Sequence, residues 1–330
     1  MKEKNAKTIE DNLAPELNGE DLDVSVIVPI SERHDDLCKL YRLYSEELAR
    51  IGKRQEWIFV VDGHFPAAQR DLKKLKTKNN PIRILQFSKP FGESAALIEG
   101  IHFARSETLL TLASYIQIEP DSLDKLFHAY GQGNDMVITR RFPRRDPIIN
   151  RIQSWVYHAI MGKMTGIVYK DITSGMRLMK RRIISEFALY GDLHRFLPIM
   201  ALQRGFSVAE IKVQQRREDT KIRLVSPGVY LRRFLDILTI FFLIKFTQKP
   251  LRFFGLIGSF LFIPGALITI SLGVGRIFFG LGLADRPLLL LAILLMVFGI
   301  QILSVGLVGE LIIFGQTKAA TSYRIAEINE

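Results

Sequence analysis

The sequence predicts an α/β domain of roughly 230 residues on a mainly parallel sheet, followed by a two-helix transmembrane hairpin near the C-terminus. Three observations predict it. Short β-branched runs alternate with segments of helical spacing through the first two thirds of the chain. Two later segments are long, apolar and uncharged through their centres. Basic residues gather on the approach to the first of these segments rather than on the loop between them. Composition alone is silent: 48% hydrophobic and 24% charged residues is close to a globular average, so the distribution carries the assignment.

The run 24–29 (VSVIVP) is a continuous β-branched stretch of the kind buried on both faces of a sheet. Helical spacing follows over 37–51, and a second strand over 56–61 ends at Asp62-Gly63. A helix over 67–76 leads to a strand over 82–87; 95–104 is helical again, and 108–113 is a fourth strand. Such alternation implies parallel pairing, with ligands beyond the carboxyl ends of the strands. The chemistry is therefore expected on Ser31-Glu32, 62–64, 88–94 and 113–117.

Residues 253–275 and 288–314 are each long enough to cross a bilayer, and Glu310 is the only charge in the second. The connecting loop carries two basic residues, whereas the approach over 232–252 carries Arg232, Arg233, Lys245, Lys249 and Arg252. The positive-inside rule then places the large domain and the C-terminus in the cytoplasm. Glu310 lies about one turn from the cytoplasmic end and is read as reaching the headgroup layer. Between domain and hairpin, 234–246 (FLDILTIFFLIKF) is apolar but too short to span, and is read as interfacial. A net charge of +11 suits an anionic membrane surface; no nucleic-acid-binding motif supports the competing partner. Residues 1–22 are a polar tail without the apolar core of a secretory signal, and 315–330 form a second tail. Cys38 is the only cysteine, which excludes an intrachain disulfide and a cysteine-based zinc site and fits a reducing compartment.

The stretches VSVIVPISER, IFVVDGH, SKPFGESAAL, DITSGMRLMKR, HRFLP, QKPLRFFG and RPLLLLAILLMVFGIQILSVGLVGELI occur in this order. Together they resemble the polyprenyl-phosphate glycosyltransferases of glycosyltransferase family two, of the dolichyl-phosphate mannose synthase-like and bactoprenol glucosyl transferase-like kind, over residues 23–314. The resemblance implies a GT-A (Rossmann-like) domain over 23–230, juxtamembrane interfacial helices over 231–252, and a multi-pass protein of the inner membrane. It also implies a nucleotide sugar as donor and a polyprenyl phosphate lipid as acceptor, with transfer at the cytoplasmic face; a homo-oligomer is left open.

The acceptor of such a reaction is a phosphate, already anionic near neutral pH, so it needs orientation and charge neutralisation more than a base. The leaving nucleotide diphosphate needs a counter-charge, which the family supplies as Mg or Mn on an Asp-x-Asp pair. Here the chain departs from its relatives. The corresponding stretch reads Ala113-Ser114-Tyr115-Ile116-Gln117, so both metal ligands are lost, no metal site is assigned, and the cofactor is left unknown. On the donor side the resemblance leaves Pro29, Glu32, Asp62, Gly92 and Gln117. Glu119-Pro120-Asp121 offers a nearby carboxylate pair, but Asp121 or Ser122 reads more simply as a helix N-cap. His64 reads as a solvated loop residue.

The acceptor half keeps its pattern. By resemblance, Asp171 and Arg177 of DITSGMR are the catalytic candidates, with Asp171 as base or orienting carboxylate; an Asx turn is its structural alternative. Ser174 and Gly175 line the acceptor site, and two basic runs, containing Arg140 and Arg141 and then Arg216 and Lys221, are candidates to clamp the lipid phosphate, or else solvated faces or headgroup contacts. His194-Arg195 is read as either a helix-end contact or a functional pair. Three functions follow from these readings. The first is an inverting transferase making a polyprenyl-phosphate sugar, with basic groups replacing some of the metal's charge. The second is a silent relative that binds polyprenyl phosphate or scaffolds a membrane glycan-assembly complex. The third, a membrane-attached nucleic-acid binder, rests on charge alone.

Overall fold

The computed structural model describes residues 22–31, 33–76, 82–143, 162, 169–172, 174–187, 191–216, 235, 238–239, 250–280 and 287–316. The chain divides into two compact units, Met1–Asp236 and Ile237–Glu330. In the first, β1 (Val24–Ile30) is buried along its whole length, as its β-branched run predicts. Helix α1 (Leu37–Arg50) begins where the Asp36 carboxylate accepts the Lys39 N–H at 2.9 Å, and it turns Leu37, Leu40, Tyr44 and Leu48 toward the sheet. Strand β2 (Gln55–Val61), helix α2 (Pro66–Leu75), with proline at its start, strand β3 (Ile82–Gln86), helix α3 (Glu93–His102) and strand β4 (Thr108–Thr111) continue the alternation. These elements start and end within two residues of the expected positions.

The remaining elements are α4 (Ser122–Gly131), β5 (Met136–Arg141), β6 (Arg177–Lys180), the short α5 (Arg182–Ser185), a 3-10 turn at Leu193–Phe196, α6 (Leu197–Gln203) and β7 (Val208–Val213). The seven-stranded sheet runs β3-β2-β1-β4-β6-β5-β7. All neighbours pair parallel except β6, which is antiparallel to both β4 and β5. The strand order reverses between β1 and β4, the point at whose carboxyl ends open α/β sheets take their ligands.

The second unit holds α7 (Pro250–Phe279) and α8 (Pro287–Gln316), each long and apolar enough to cross a membrane. At about 1.5 Å per residue, 30 residues extend some 45 Å, beyond the hydrocarbon thickness. Both helices run a few residues past the expected spans. They pack through glycines: a Cβ on Gly258 would lie 2.7 Å from the Gly299 carbonyl oxygen, and one on Gly265 would lie 2.7 Å from that of Ala292. These residues recur every seven positions, the spacing that keeps a seam of small residues facing a partner helix in lipid. Glu310 Oε2 accepts the Leu251 N–H at 3.3 Å, one of the orphan donors at the start of α7. Of the interfacial segment expected over 231–252, most lies outside the described residues.

Asp135 pins β5, β6 and β7 together. Its carboxylate accepts Lys180 Nζ at 2.9 Å, the Ser207 N–H and Oγ at 3.0 Å each, and Arg182 Nη2. Burial would raise its pKa, but the hydrogen bonds from Lys180, Ser207 and Arg182 override it and hold the carboxyl well below the usual carboxylate range. A depressed folded-state pKa contributes stability that is present above the unfolded value of about 4 and lost as pH falls toward the folded one. Asp135→Asn is expected to destabilise the protein by about 2–3 kcal/mol at pH 7, and by less at pH 3, when thermal unfolding is followed across that range.

Candidate active site

The carboxyl ends of β3, β2, β1 and β4 bring the expected loops to one edge of the sheet. Asp62, directly after β2, is 2% exposed and directs both carboxylate oxygens at the loop after β3: Oδ1 accepts the Phe91 N–H at 2.6 Å and Oδ2 the Gly92 N–H at 2.9 Å. Gly92 has φ +99° and caps α3, a conformation L side chains rarely adopt. Gly63 (φ +103°) touches Pro90 of the same loop, where a Cβ would lie 2.9 Å from the proline Cγ. Asp62 therefore organises the loop after β3. Pro29 is buried inside β1 opposite Val60, and His64 is exposed, as a solvated loop histidine should be. Glu32 and Lys221 lie outside the described residues.

The stretch after β4 meets the residues after β1. Ser114 Oγ donates to the Arg33 carbonyl, the Asp35 N–H donates to the Ser114 carbonyl at 3.1 Å, and the Arg33 guanidinium sits 4.1 Å above the Tyr115 ring. Arg33 also pairs with Asp35, Nη2 to Oδ2 at 2.7 Å. Gln117 is 5% exposed; its Nε2 donates to Tyr115 Oη at 2.7 Å and its Oε1 accepts the Gly175 N–H at 3.0 Å, which ties donor and acceptor stretches together. Among the described residues no group of three or more His, Cys, Asp or Glu could hold a metal ion. Glu119 Oε2 lies 3.6 Å from Arg216 Nη1 instead. The residues at the expected metal position, a methyl group and a phenol, do not fit a divalent ion, which takes oxygen ligands such as carboxylates. Asp121 occupies the start of α4 but makes no side-chain cap, so the expected capping bond does not form there.

On the acceptor side the structure draws distant residues into a buried network. Asp171 is 1% exposed and Arg141 5%; they form a bidentate pair, Nε to Oδ2 at 2.7 Å and Nη2 to Oδ1 at 3.0 Å, and the Arg141 N–H adds a third bond at 3.2 Å. Glu210 accepts the N–H groups of Lys170 and Asp171 at 2.8 and 3.0 Å. Ser174 Oγ lies 2.6 Å from Thr139 Oγ1. Arg177 donates to three carbonyls, those of Ser174 at 3.2 Å, His194 at 2.5 Å and Ile172 at 3.1 Å. Arg140, three residues before Pro143, sits 5.6 Å from the exposed Phe142 ring, which Lys212 approaches from β7 at 5.7 Å.

Two groupings were not legible from the sequence. One is Arg33 on Tyr115. The other is Glu93, Ser94 and His194: His194 Nδ1 lies 2.9 Å from Ser94 Oγ and its Nε2 lies 3.4 Å from Glu93 Oε2. Burial pushes the Glu93 carboxyl up, but the His194 hydrogen bond and the charges of His194, Arg195 and Arg177 outweigh it and bring it below the usual carboxylate range. The Gly-Glu-Ser start of α3 and the HRFLP stretch are each visible in the sequence; their meeting across 100 residues is not.

Residues 25–187 match the model of Glycosyl transferase family 2. The chain is 24% identical over 314 residues to dodecaprenyl-phosphate galacturonate synthase of Rhizobium johnstonii, covering 93% of each. It is 26% identical over 309 residues to undecaprenyl-phosphate 4-deoxy-4-formamido-L-arabinose transferase of Proteus mirabilis, covering 92% of this chain and 93% of the other. Glucosyl-3-phosphoglycerate synthase of Mycobacterium tuberculosis, solved with uridine diphosphate, superposes with a TM-score of 0.52 at 14% identity, over 69% of this chain and 81% of that one, a likeness of fold. Residues 25–187 are thus a glycosyltransferase family 2 domain, and the sheet unit that contains them has a GT-A-like arrangement.

A buried ion pair gains little net stability, but removing one partner strands the other and costs about 3–5 kcal/mol. Asp171→Asn is accordingly expected to lower the midpoint of thermal unfolding and to lower turnover in the fraction that stays folded. Replacing Arg141 and Asp171 together by Met and Leu is expected to recover much of the stability and none of the turnover. Wild-type rates in folded Asp171→Asn would remove the residue from the mechanism.

Proposed function

We propose that this protein transfers a sugar from a nucleotide diphosphate sugar to a polyprenyl phosphate, with inversion at the anomeric carbon. The observation that carries the reading is the alignment of both polyprenyl-phosphate transferases along more than nine-tenths of the chain, through the sheet domain and the two apolar helices alike. In the reaction a phosphate oxygen of the lipid forms the new bond to the anomeric carbon. The bond from that carbon to the diphosphate oxygen breaks, and the nucleoside diphosphate leaves with the electron pair. The acceptor phosphate has a second pKa of about 6 and needs no proton removed near neutral pH. The chain's own residues then bind and orient: Asp62 fixes the loop after β3, Gln117 joins the donor stretch to Gly175, and the Asp171–Arg141 pair with Arg177 holds the acceptor segment rigid.

The direct test incubates the full-length protein with undecaprenyl phosphate and a panel of labelled nucleotide sugars that includes galacturonate and 4-deoxy-4-formamido-L-arabinose donors. A labelled, acid-labile glycolipid with one donor is the expected result; none with any donor would overturn the reading.

The same proposal places the protein in the inner membrane as a multi-pass protein, with the sheet domain and both termini in the cytoplasm, supported by the basic approach at 232–252. Reporter fusions after Asp285 are expected to be extracytoplasmic and fusions at either terminus cytoplasmic. A cytoplasmic signal from the loop would refute that orientation.

A further inference from the structure

The strand order reverses between β1 and β4, and in open α/β sheets the carboxyl ends of the strands at that point take the ligand. Two loops border that point, and they meet at Arg33 and Tyr115. The guanidinium carbon lies 4.1 Å from the centre of the phenol ring, Nη2 is 2.7 Å from Asp35 Oδ2, and Nε is 3.4 Å from Oδ1. The backbone is fixed as well: Ser114 Oγ donates to the Arg33 carbonyl, and the Asp35 N–H donates back to Ser114 at 3.1 Å. Gln117 Nε2, bonded to Tyr115 Oη at 2.7 Å, holds the ring. With side-chain exposures of 25% for Arg33 and 30% for Asp35, the pair is reachable by a ligand yet shielded enough for its charge to count.

The electrostatics of the position follow from what is missing. Without a metal, a pair of carboxylates at 113 and 115 would repel a diphosphate; Ala113 and Tyr115 carry no such charge. A guanidinium supplies the opposite sign in a planar fork that matches phosphate oxygens; in Arg33 that fork holds Asp35, a single negative charge that a diphosphate of higher charge can displace, and an aromatic face beneath it limits its orientations. We propose that Arg33, seated on Tyr115, binds the diphosphate of the nucleotide donor directly, in the electrostatic role that a divalent ion has in relatives with an Asp-x-Asp pair, so that donor binding is independent of divalent metal. The proposal rests on the transferase reading and adds the group that recognises the donor.

The test is calorimetric titration of the full-length protein with uridine, guanosine and thymidine diphosphates, in EDTA and in Mg or Mn, alongside glycolipid synthesis with the matching donor. Wild-type affinity for the bound nucleotide is expected to change less than about twofold between EDTA and metal. Arg33→Ala is expected to weaken it at least tenfold with an unchanged unfolding midpoint, and Arg33→Lys to recover part of the loss, since a point charge replaces the fork. Tyr115→Leu, which removes the ring, is expected to weaken it less than Arg33→Ala. Nucleotide binding and glycolipid synthesis that vanish in EDTA, or that survive unchanged in Arg33→Ala, would overturn the role of Arg33 and leave the transferase reading intact. Neither nucleotide binding nor glycolipid under any condition would overturn both.

Discussion

Gly175 lies so close to the end of β4 that a Cβ on it would come within 2.9 Å of the Ala113 methyl and 3.0 Å of the Ala113 amide nitrogen. No other residue fits without moving the backbone of one strand or the other. The acceptor half of the site hangs on that contact. Thr111 Oγ1 donates to the Gly175 carbonyl at 2.9 Å and Gln117 accepts its N–H, which delivers the chain into β6 at the register pairing Thr111 with Arg177. From there Arg177 gathers the carbonyls of Ile172, Ser174 and His194, so segments far apart in sequence are fixed by one buried guanidinium. Close backbone approach comes first in this arrangement, and the hydrogen bonds follow from it.

The first half of the domain was legible because β1 and β2 are buried runs rich in β-branched and aromatic residues, and a strand buried on both faces has little freedom to be anything else. The second half was not. Strand β5 reads MVITRR, and its closing arginines look like a solvated or phosphate-binding run; Arg141 is instead 5% exposed because its partner is Asp171, thirty residues on. Nothing local announces that pairing. The same holds for Asp62, whose sequence position marks it as functional while its partners, the amides of Phe91 and Gly92, are set by the adjacency of β2 and β3. Position along the chain thus singles out donor-side candidates, and tertiary structure says what their oxygens hold.

The hairpin repeats the lesson in a different solvent. Hydropathy finds the two helices because lipid demands long apolar runs, but it does not distinguish a glycine facing lipid from one facing a helix. Gly273 has nothing within 4 Å of its Cβ position, while Gly258 and Gly299 pack against each other's carbonyls. Glu310 read as a carboxylate reaching for the headgroups; it reaches the first turn of α7, where the helix dipole and the orphan Leu251 N–H favour a negative charge.

The two halves of the site face opposite electrostatic problems, and the residues divide accordingly. A phosphate nucleophile carries its own charge at neutral pH, so no carboxylate must stay free to accept a proton. Asp171 can therefore give both oxygens to Arg141 and act by holding the acceptor segment rather than by titrating. The donor diphosphate is the harder case, because each carboxylate near it adds repulsion of about 4 kcal/mol for unit charges 4 Å apart at an effective dielectric of 20. Neither Ala113 nor Tyr115 carries such a charge, and the Asp35 carboxylate is paired with Arg33. A ring at 115 that seats a guanidinium changes the local charge in the same direction as the loss of a carboxylate there. On the proposed role of Arg33, the uncharged residues at 113 and 115 and the stacked arginine are one substitution of counter-charge, at two places in the chain that the β1–β4 adjacency brings together.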